Sequence, residues 1–310
     1  MDAGTKIAVV DLGTNSTRLL VAEATADGGL HQLDRRSEVT HLGQGVDGSG
    51  RLGDEAMQRV YGCLADFREV ADGLGVDRSV AVATSAARDA ENGEEFRDTI
   101  CDRFGFDIAI ISGEEEARLT FLGATAGRPA RDPTLVVDVG GGSTEFVIGV
   151  PGSAPTFHVS TRLGSVRQSE RHLASDPPEH SETQALGRAV RQIIFEAVPD
   201  RERRDVREGI AVAGTATSLA AIDQELDPYD PERVDGYRLV LGECERMLAM
   251  LAALPLEERR EVPGLHPERA PTIVAGAAIL VEAMRGFGLD RIEVSEADIL
   301  NGVALDALSR

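Results

Sequence analysis

The chain has 310 residues, of which 42% are hydrophobic and 27% charged, with 33 glycines and 13 prolines, a globular composition long enough for about two domains. Its formal net charge of −21 disfavours nonspecific binding to nucleic acid or to an anionic membrane. Cys63, Cys101 and Cys244 make no CxxC pair, which rules out a disulfide framework and a cysteine zinc site.

The start, MDAGTKIAVVDLG, has no basic flank, apolar core or cleavage signature, so no signal peptide is expected. Lys6 is the only lysine, so the GxxxxGK[ST] phosphate loop of P-loop enzymes is absent. IAVVDLGTNSTRLLVAE (7–23) places apolar runs on both sides of a Gly/Asn/Ser turn, which predicts a β-hairpin. GQGVDG (43–48) satisfies GxGxxG, but GSGRLG follows where a dinucleotide site needs a helix, and a turn-rich loop is expected. VAVATSAARDAENGEEF (80–96) reads as strand, turn, then a helix carrying Arg88 in its first turns. IAIISGEEEARLTFLGA (108–124) has the same form, with Ser112-Gly113 as the cap of an amphipathic helix. TAGRPARDP (125–133) marks the expected domain boundary, giving domains 1–128 and 129–310, the last helix packing back on the first domain.

Beyond the boundary, LVVDVGGGSTEFVIGV (135–150) predicts a second hairpin. Residues 174–182 and 227–233 read as exposed loops and 186–208 as a solvated amphipathic helix. GIAVAGTATSLAAI (209–222) gives a further strand-to-helix junction at Gly214-Thr215. TIVAGAAILVEAM (272–284) is apolar but too short to span a bilayer. A soluble, cytoplasmic protein with no membrane or nucleic-acid partner is expected, and monomer and homodimer are both open.

The two hairpins share one plan. Asp11 aligns with Asp138, Gly13 with Gly140, Ser16 with Ser143 and Thr17 with Thr144, each pair 127 positions apart. That repeat predicts two similar domains. Its turn chemistry suits phosphate: glycines allow close approach of backbone N–H groups, Ser and Thr add donors, and an Asp at the strand end can share Mg²⁺ with phosphate oxygens. Strand ends that feed helix N-termini are natural anion sites as well.

DLGTNSTR (11–18), ISGEEEARL (111–119) and DVGGGSTE (138–145), in this order, resemble the exopolyphosphatase and guanosine-pentaphosphate phosphohydrolase family. The likeness extends through LGQGVDGSGRLGDEAM (42–57), ATSAARDAEN (83–92), STRLGSVR (160–167) and AVAGTATSLAA (211–221). It implies an α/β fold of duplicated actin-like, ribonuclease H-like domains facing across a cleft. It also implies Mg²⁺-dependent hydrolysis of the terminal phosphoanhydride of polyphosphate or of guanosine pentaphosphate. By position, Glu116 matches the family's catalytic base, and Asp138 and Glu145 its metal- and water-orienting carboxylates. Asp11 is a further metal candidate. Gly140, Gly141, Gly142 and Ser143 match one phosphate loop and Asn15, Ser16 and Arg18 the other, with Arg88 a phosphate-contacting arginine and Gly214 and Thr215 added as phosphate ligands.

Like-charge repulsion from Glu114 and Glu115 is expected to raise the Glu116 pKa. Two departures stand out: SEADILNG (295–302) replaces a Gly-Leu-Arg-x-Gly signature, and longer members carry an additional C-terminal domain, which favours short polyphosphate here. An ATP-dependent kinase of the same superfamily and a non-catalytic sensor of polyphosphate or guanosine tetra- and pentaphosphate are the alternatives.

Overall fold

The computed structural model describes residues 4–309, which divide into two compact units, one of residues 4–127 and 298–309 and one of 128–297. In chain order the first unit contains β1 (Lys6–Leu12), β2 (Ser16–Ala24), β3 (Leu30–Val39), α1 (Val46–Ser49), α2 (Asp54–Leu74), β4 (Arg78–Ala83), α3 (Ser85–Arg88), α4 (Gly93–Phe104), β5 (Asp107–Ile110) and α5 (Gly113–Thr125). The second contains β6 (Thr134–Val139), β7 (Thr144–Gly149), β8 (Phe157–Thr161), α6 (Ser165–His172), α7 (His180–Ala197), α8 (Asp200–Asp205), β9 (Glu208–Val212), α9 (Ala213–Asp223), α10 (Pro231–Val234), β10 (Arg238–Val240), α11 (Leu241–Ala253), α12 (Leu256–Arg259), α13 (Ile273–Phe287) and β11 (Arg291–Val294). The last helix, α14 (Ile299–Ser309), returns to the first unit.

The first sheet runs β3-β2-β1-β4-β5, with β1 antiparallel to β2 and parallel to β4. The second repeats that order as β8-β7-β6-β9-β11 and adds β10 at its edge. Here too the first strand, β6, is antiparallel to its hairpin partner and parallel to β9. Each unit is therefore a 3-2-1-4-5 mixed sheet of the actin-like, ribonuclease H-like kind. The central strands are continuous apolar runs because both faces are covered. β3, at an edge, carries His31, Asp34, Arg35, Arg36 and Glu38 instead.

Helices cover both faces of the first sheet. Val10, Leu19 and Val21 pack with Leu64 and Phe67 of α2. Ile7, Val9, Leu20 and Val82 pack with Leu119, Leu300 and Val303 of α5 and α14. α5 and α14 approach at glycines: a Cβ on Gly123 would overlap the Asp298 carbonyl, and one on Gly302 the Leu119 carbonyl. In the second unit α13 is the central element, buried along nearly its whole length against α6, α7, α9 and α11.

Local departures from the sequence reading have physical causes. The segment after β4 forms two helices rather than one, because the chain folds back so tightly that a Cβ on Gly93 would overlap the Ala87 carbonyl. Arg88 therefore ends α3 instead of opening a long helix. GQGVDG includes a single helical turn, α1, started and stopped by Gly45 and Gly50 at positive φ. The 186–208 helix is split at Pro199, and α7 starts earlier, at His180, through a capping box of Glu179 and Glu182. α10 starts at Pro231 inside the expected 227–233 loop, capped by the Asp230 side chain.

Candidate active site

β1 carries Asp11 next to its last residue, and the strand register sets it opposite Arg18 on β2. Arg18 Nε and Nη2 both donate to Asp11 Oδ2, at 3.0 and 2.6 Å. Arg18 Nη1 donates to Asp298, the residue before α14. Asp298 also pairs with Arg35 of β3 (Nη2 to Oδ2, 3.2 Å), and its Oδ1 accepts the Leu300 N–H at 3.0 Å, capping α14. Arg35 Nη1 reaches Asn301 Oδ1 at 3.2 Å. Both carboxylates are buried. Burial works against the Asp298 charge, but Arg18, Arg35 and the Leu300 N–H outweigh it and its pKa lies below the ordinary value. For Asp11 burial prevails over Arg18, and the pKa is raised.

Glu116 occupies the first turn of α5. Ser112 caps that helix, its Oγ accepting the Glu115 N–H at 3.1 Å and its carbonyl the Glu116 N–H at 2.9 Å. The cap turns Glu114 outward and Glu116 inward, where it is 7% exposed. Arg88 Nη1 donates to Glu116 Oε2 at 2.9 Å and to the Ile111 carbonyl at 2.9 Å. Burial pushes Glu116 up to about 7, Arg88 opposes the rise, and the Asp11 charge adds to it. The expected cause, repulsion from Glu114 and Glu115, is thus replaced by burial and Asp11. Glu115 instead pairs with Arg118 at 2.8 Å.

The turn of the first hairpin closes with Gly13 N–H on the Ser16 carbonyl, at 3.0 Å. Asn15 fastens the turn: its carbonyl accepts the Thr40 and His41 N–H groups at 3.0 and 2.9 Å, and its Oδ1 lies 3.2 Å from His41 Nδ1.

The second hairpin reproduces this construction. Gly140 N–H meets the Ser143 carbonyl at 3.0 Å. The start of α6 holds the turn from outside, with Ser165 N–H on Gly140 O at 2.8 Å, Val166 N–H on Gly141 O at 2.9 Å and Arg167 Nε on Gly142 O at 3.0 Å. The repeat therefore extends further than the hairpins. Thr40, Leu42 and Gly43 correspond to Thr161, Leu163 and Gly164, each pair 121 positions apart. A Cβ on Gly43 would overlap Thr14, and one on Gly164 would overlap the 141–142 backbone. Both glycines let the following segment lie close against the hairpin turn.

One exchange separates the copies. Where Asp11 faces Arg18, Asp138 faces Glu145. Both carboxylates are buried, and Ser160 Oγ donates to Glu145 Oε1 at 2.7 Å. Like charges directly opposite on antiparallel strands are unfavourable. Gly214 and Thr215 lie just past β9, beside β6. Thr215 Oγ1 donates to the Val139 carbonyl at 3.3 Å, and the Arg269 guanidinium occupies the space a Cβ on Gly214 would need.

The first unit thus joins Asp11, Arg18, Arg88 and Glu116, with Asn15 and Ser16 in the adjoining turn. The second joins Asp138, Glu145, the 140–143 turn, Gly214 and Thr215. Sequence reasoning missed Asp298, Arg35 and Ser160. The SEADILNG departure was the only signal for Asp298.

Mg²⁺ can be tested against these residues. Among the described residues no cluster of three or more His, Cys, Asp or Glu is arranged around one point, so a cage made of protein alone is not present. Yet Asp11 Oδ1 is a buried oxygen with no hydrogen-bond partner, and Asp138 and Glu145 are opposed carboxylates. One or two carboxylates, with phosphate oxygens and water completing the shell, is the usual Mg²⁺ arrangement. The residues fit the ion in that form.

Two Gly/Ser/Thr hairpins head the duplicated sheets, a buried carboxylate stands in the first unit, and by its family the chain is a phosphoanhydride hydrolase. The Ppx/GppA phosphatase family model matches residues 6–310, and the chain belongs to that family. It is 38% identical to exopolyphosphatase 2 of Mycobacterium tuberculosis over 97% of this chain and 98% of that protein. An exopolyphosphatase-like crystal structure superposes with a TM-score of 0.91 at 37% identity, covering 98% of this chain and 97% of the other. An exopolyphosphatase structure from Cytophaga hutchinsonii gives 0.88 at 27%, covering 98% of both chains.

Proposed function

We propose that this protein is an exopolyphosphatase that hydrolyses the terminal phosphoanhydride of inorganic polyphosphate with Glu116 as general base. The observation that carries the reading is the Glu116 environment: a buried carboxylate, oriented by Arg88 and held near pKa 7. A base poised near the working pH is the most effective one.

Glu116 orients a water molecule and accepts its proton as the water oxygen bonds to the terminal phosphorus. The bond from that phosphorus to the bridging oxygen breaks, and the electron pair leaves with the shortened chain. Orthophosphate is released, and Glu116 returns its proton to solvent. The transition state is loose and charge-rich, so neutralisation and alignment matter more than covalent chemistry. Arg18 and Arg88 supply fixed positive charge, and the turns at 13–16 and 140–143 supply backbone N–H groups. Asp11 of the first unit and the Asp138–Glu145 pair of the second are the proposed Mg²⁺ ligands; an ion held at either would shield phosphate charge.

The 38% identity to exopolyphosphatase 2 supports polyphosphate as substrate. Phosphate release with Mg²⁺ should be measured in parallel on short polyphosphate, long polyphosphate and guanosine pentaphosphate. Release from polyphosphate supports the proposal, and the ratio of short to long chains sets the length preference. Release from the nucleotide alone moves the activity to guanosine pentaphosphate hydrolysis. Saturable binding without release from a folded sample makes the protein a sensor.

A further inference from the structure

The α14 N-terminus carries a residue that the proposed chemistry does not use directly. Asp298 is 2% exposed and 280 positions from Arg18 in sequence, yet its carboxylate bonds Arg18 and Arg35 and caps α14. Arg18 is thereby held between two buried carboxylates, Asp11 through Nε and Nη2 and Asp298 through Nη1. A guanidinium gripped along two edges is held in one orientation more tightly than one gripped along a single edge. The Cβ-free approach of α5 and α14 at Gly123 and Gly302 fixes where Asp298 stands relative to β2.

We infer that Asp298 is a positioning residue for phosphoryl transfer: it sets the orientation in which Arg18 meets the substrate's phosphates, with Arg35 balancing its charge. The inference rests on the reading of Arg18 as a phosphate ligand. Asp298 itself touches no substrate in this account.

Asp298→Asn separates this role from a structural one. Asparagine caps helices as well as aspartate does, so its Oδ1 keeps the Leu300 N–H and α14 still starts correctly. Its amide N–H₂ then faces Arg18 and Arg35, donor against donor, and Arg18 loses the hold that Asp298 has on Nη1. The experiment is a double-mutant cycle on polyphosphate hydrolysis with Asp298→Asn, Arg18→Gln and the pair, thermal unfolding being followed throughout. Asp298→Asn is expected to lower kcat by about 10–100-fold, the scale of a small misplacement, with KM changed less than about threefold. In the Arg18→Gln background Asp298→Asn should then change kcat no further, since residues acting as a unit are not additive. Independent, multiplying effects overturn the inference, as does an unaltered kcat for Asp298→Asn when Arg18→Gln is impaired. An unimpaired Arg18→Gln overturns the Arg18 assignment itself, and the positioning role with it. A cooperative loss of stability in Asp298→Asn that tracks the loss of kcat makes Asp298 structural.

Discussion

Replacing Glu116 by Gln removes the proposed base while keeping the shape and an oxygen for Arg88. A general base contributes about 10²–10⁴-fold, so kcat on polyphosphate should fall by at least about a hundredfold. The same change has a second consequence that does not depend on substrate. Folded Glu116 keeps its proton up to about 7, whereas its ordinary value is 4.5. The folded state thus holds one proton more than the unfolded state across that interval, and stability falls as pH rises through it. The stabilisation from Glu116 is complete below about 4.5 and is lost once the pH passes about 7. That interval corresponds to about 3 kcal/mol. The glutamine of the variant does not titrate, so this contribution is absent from its pH dependence. Denaturant unfolding from pH 4.5 to 8 should therefore show E116Q gaining on the wild type by up to about 3 kcal/mol as pH rises. The wild-type kcat/KM should rise through pH 7 while the residual E116Q activity lacks that limb. A stability difference that does not vary with pH would refute the buried-carboxylate reasoning, and E116Q retaining more than about a tenth of wild-type kcat would refute the base.

Arg88 lowers the Glu116 pKa, so Arg88→Gln should move the rising limb of kcat/KM to higher pH; a shift to lower pH contradicts the pairing. Gly302→Ala should lower the denaturant midpoint. Helix propensity alone favours Ala by about 1 kcal/mol, but overlap with the Leu119 carbonyl costs about 1–3 kcal/mol and must part α5 from α14. A raised midpoint would show that the two helices have room. Chelation of divalent ions should abolish phosphate release and added Mg²⁺ restore it, while full activity in excess chelator would exclude Asp11, Asp138 and Glu145 as ligands.

The hairpins are legible in the sequence because their pattern is local. Asp, Gly, Ser and Thr recur at identical spacing, and the flanking runs are apolar because central strands are covered on both faces. The clamp that follows each hairpin was not. Only Thr, Leu and Gly recur there, at a spacing six positions shorter than that of the hairpins, and what they share is a close backbone approach rather than a pattern of polarity. Glu116 stands out in the sequence through its neighbours, but the cause of its altered acidity does not: a run of three acids looks like mutual repulsion until the Ser112 cap shows which of them points inward. Arg35 and Asp298 were hidden for another reason. Arg35 lies in a charged edge strand, where one arginine looks like the next, and its partner is more than 250 positions away.

The central claim is that water attacks the terminal phosphorus of polyphosphate. Hydrolysis of short polyphosphate with Mg²⁺ in ¹⁸O-labelled water, with mass analysis of the products, tests it most directly. The account predicts one labelled oxygen in each released orthophosphate, none in the shortened chain, and loss of the reaction in E116Q. Label in the shortened chain, or no orthophosphate from a folded sample, would contradict it.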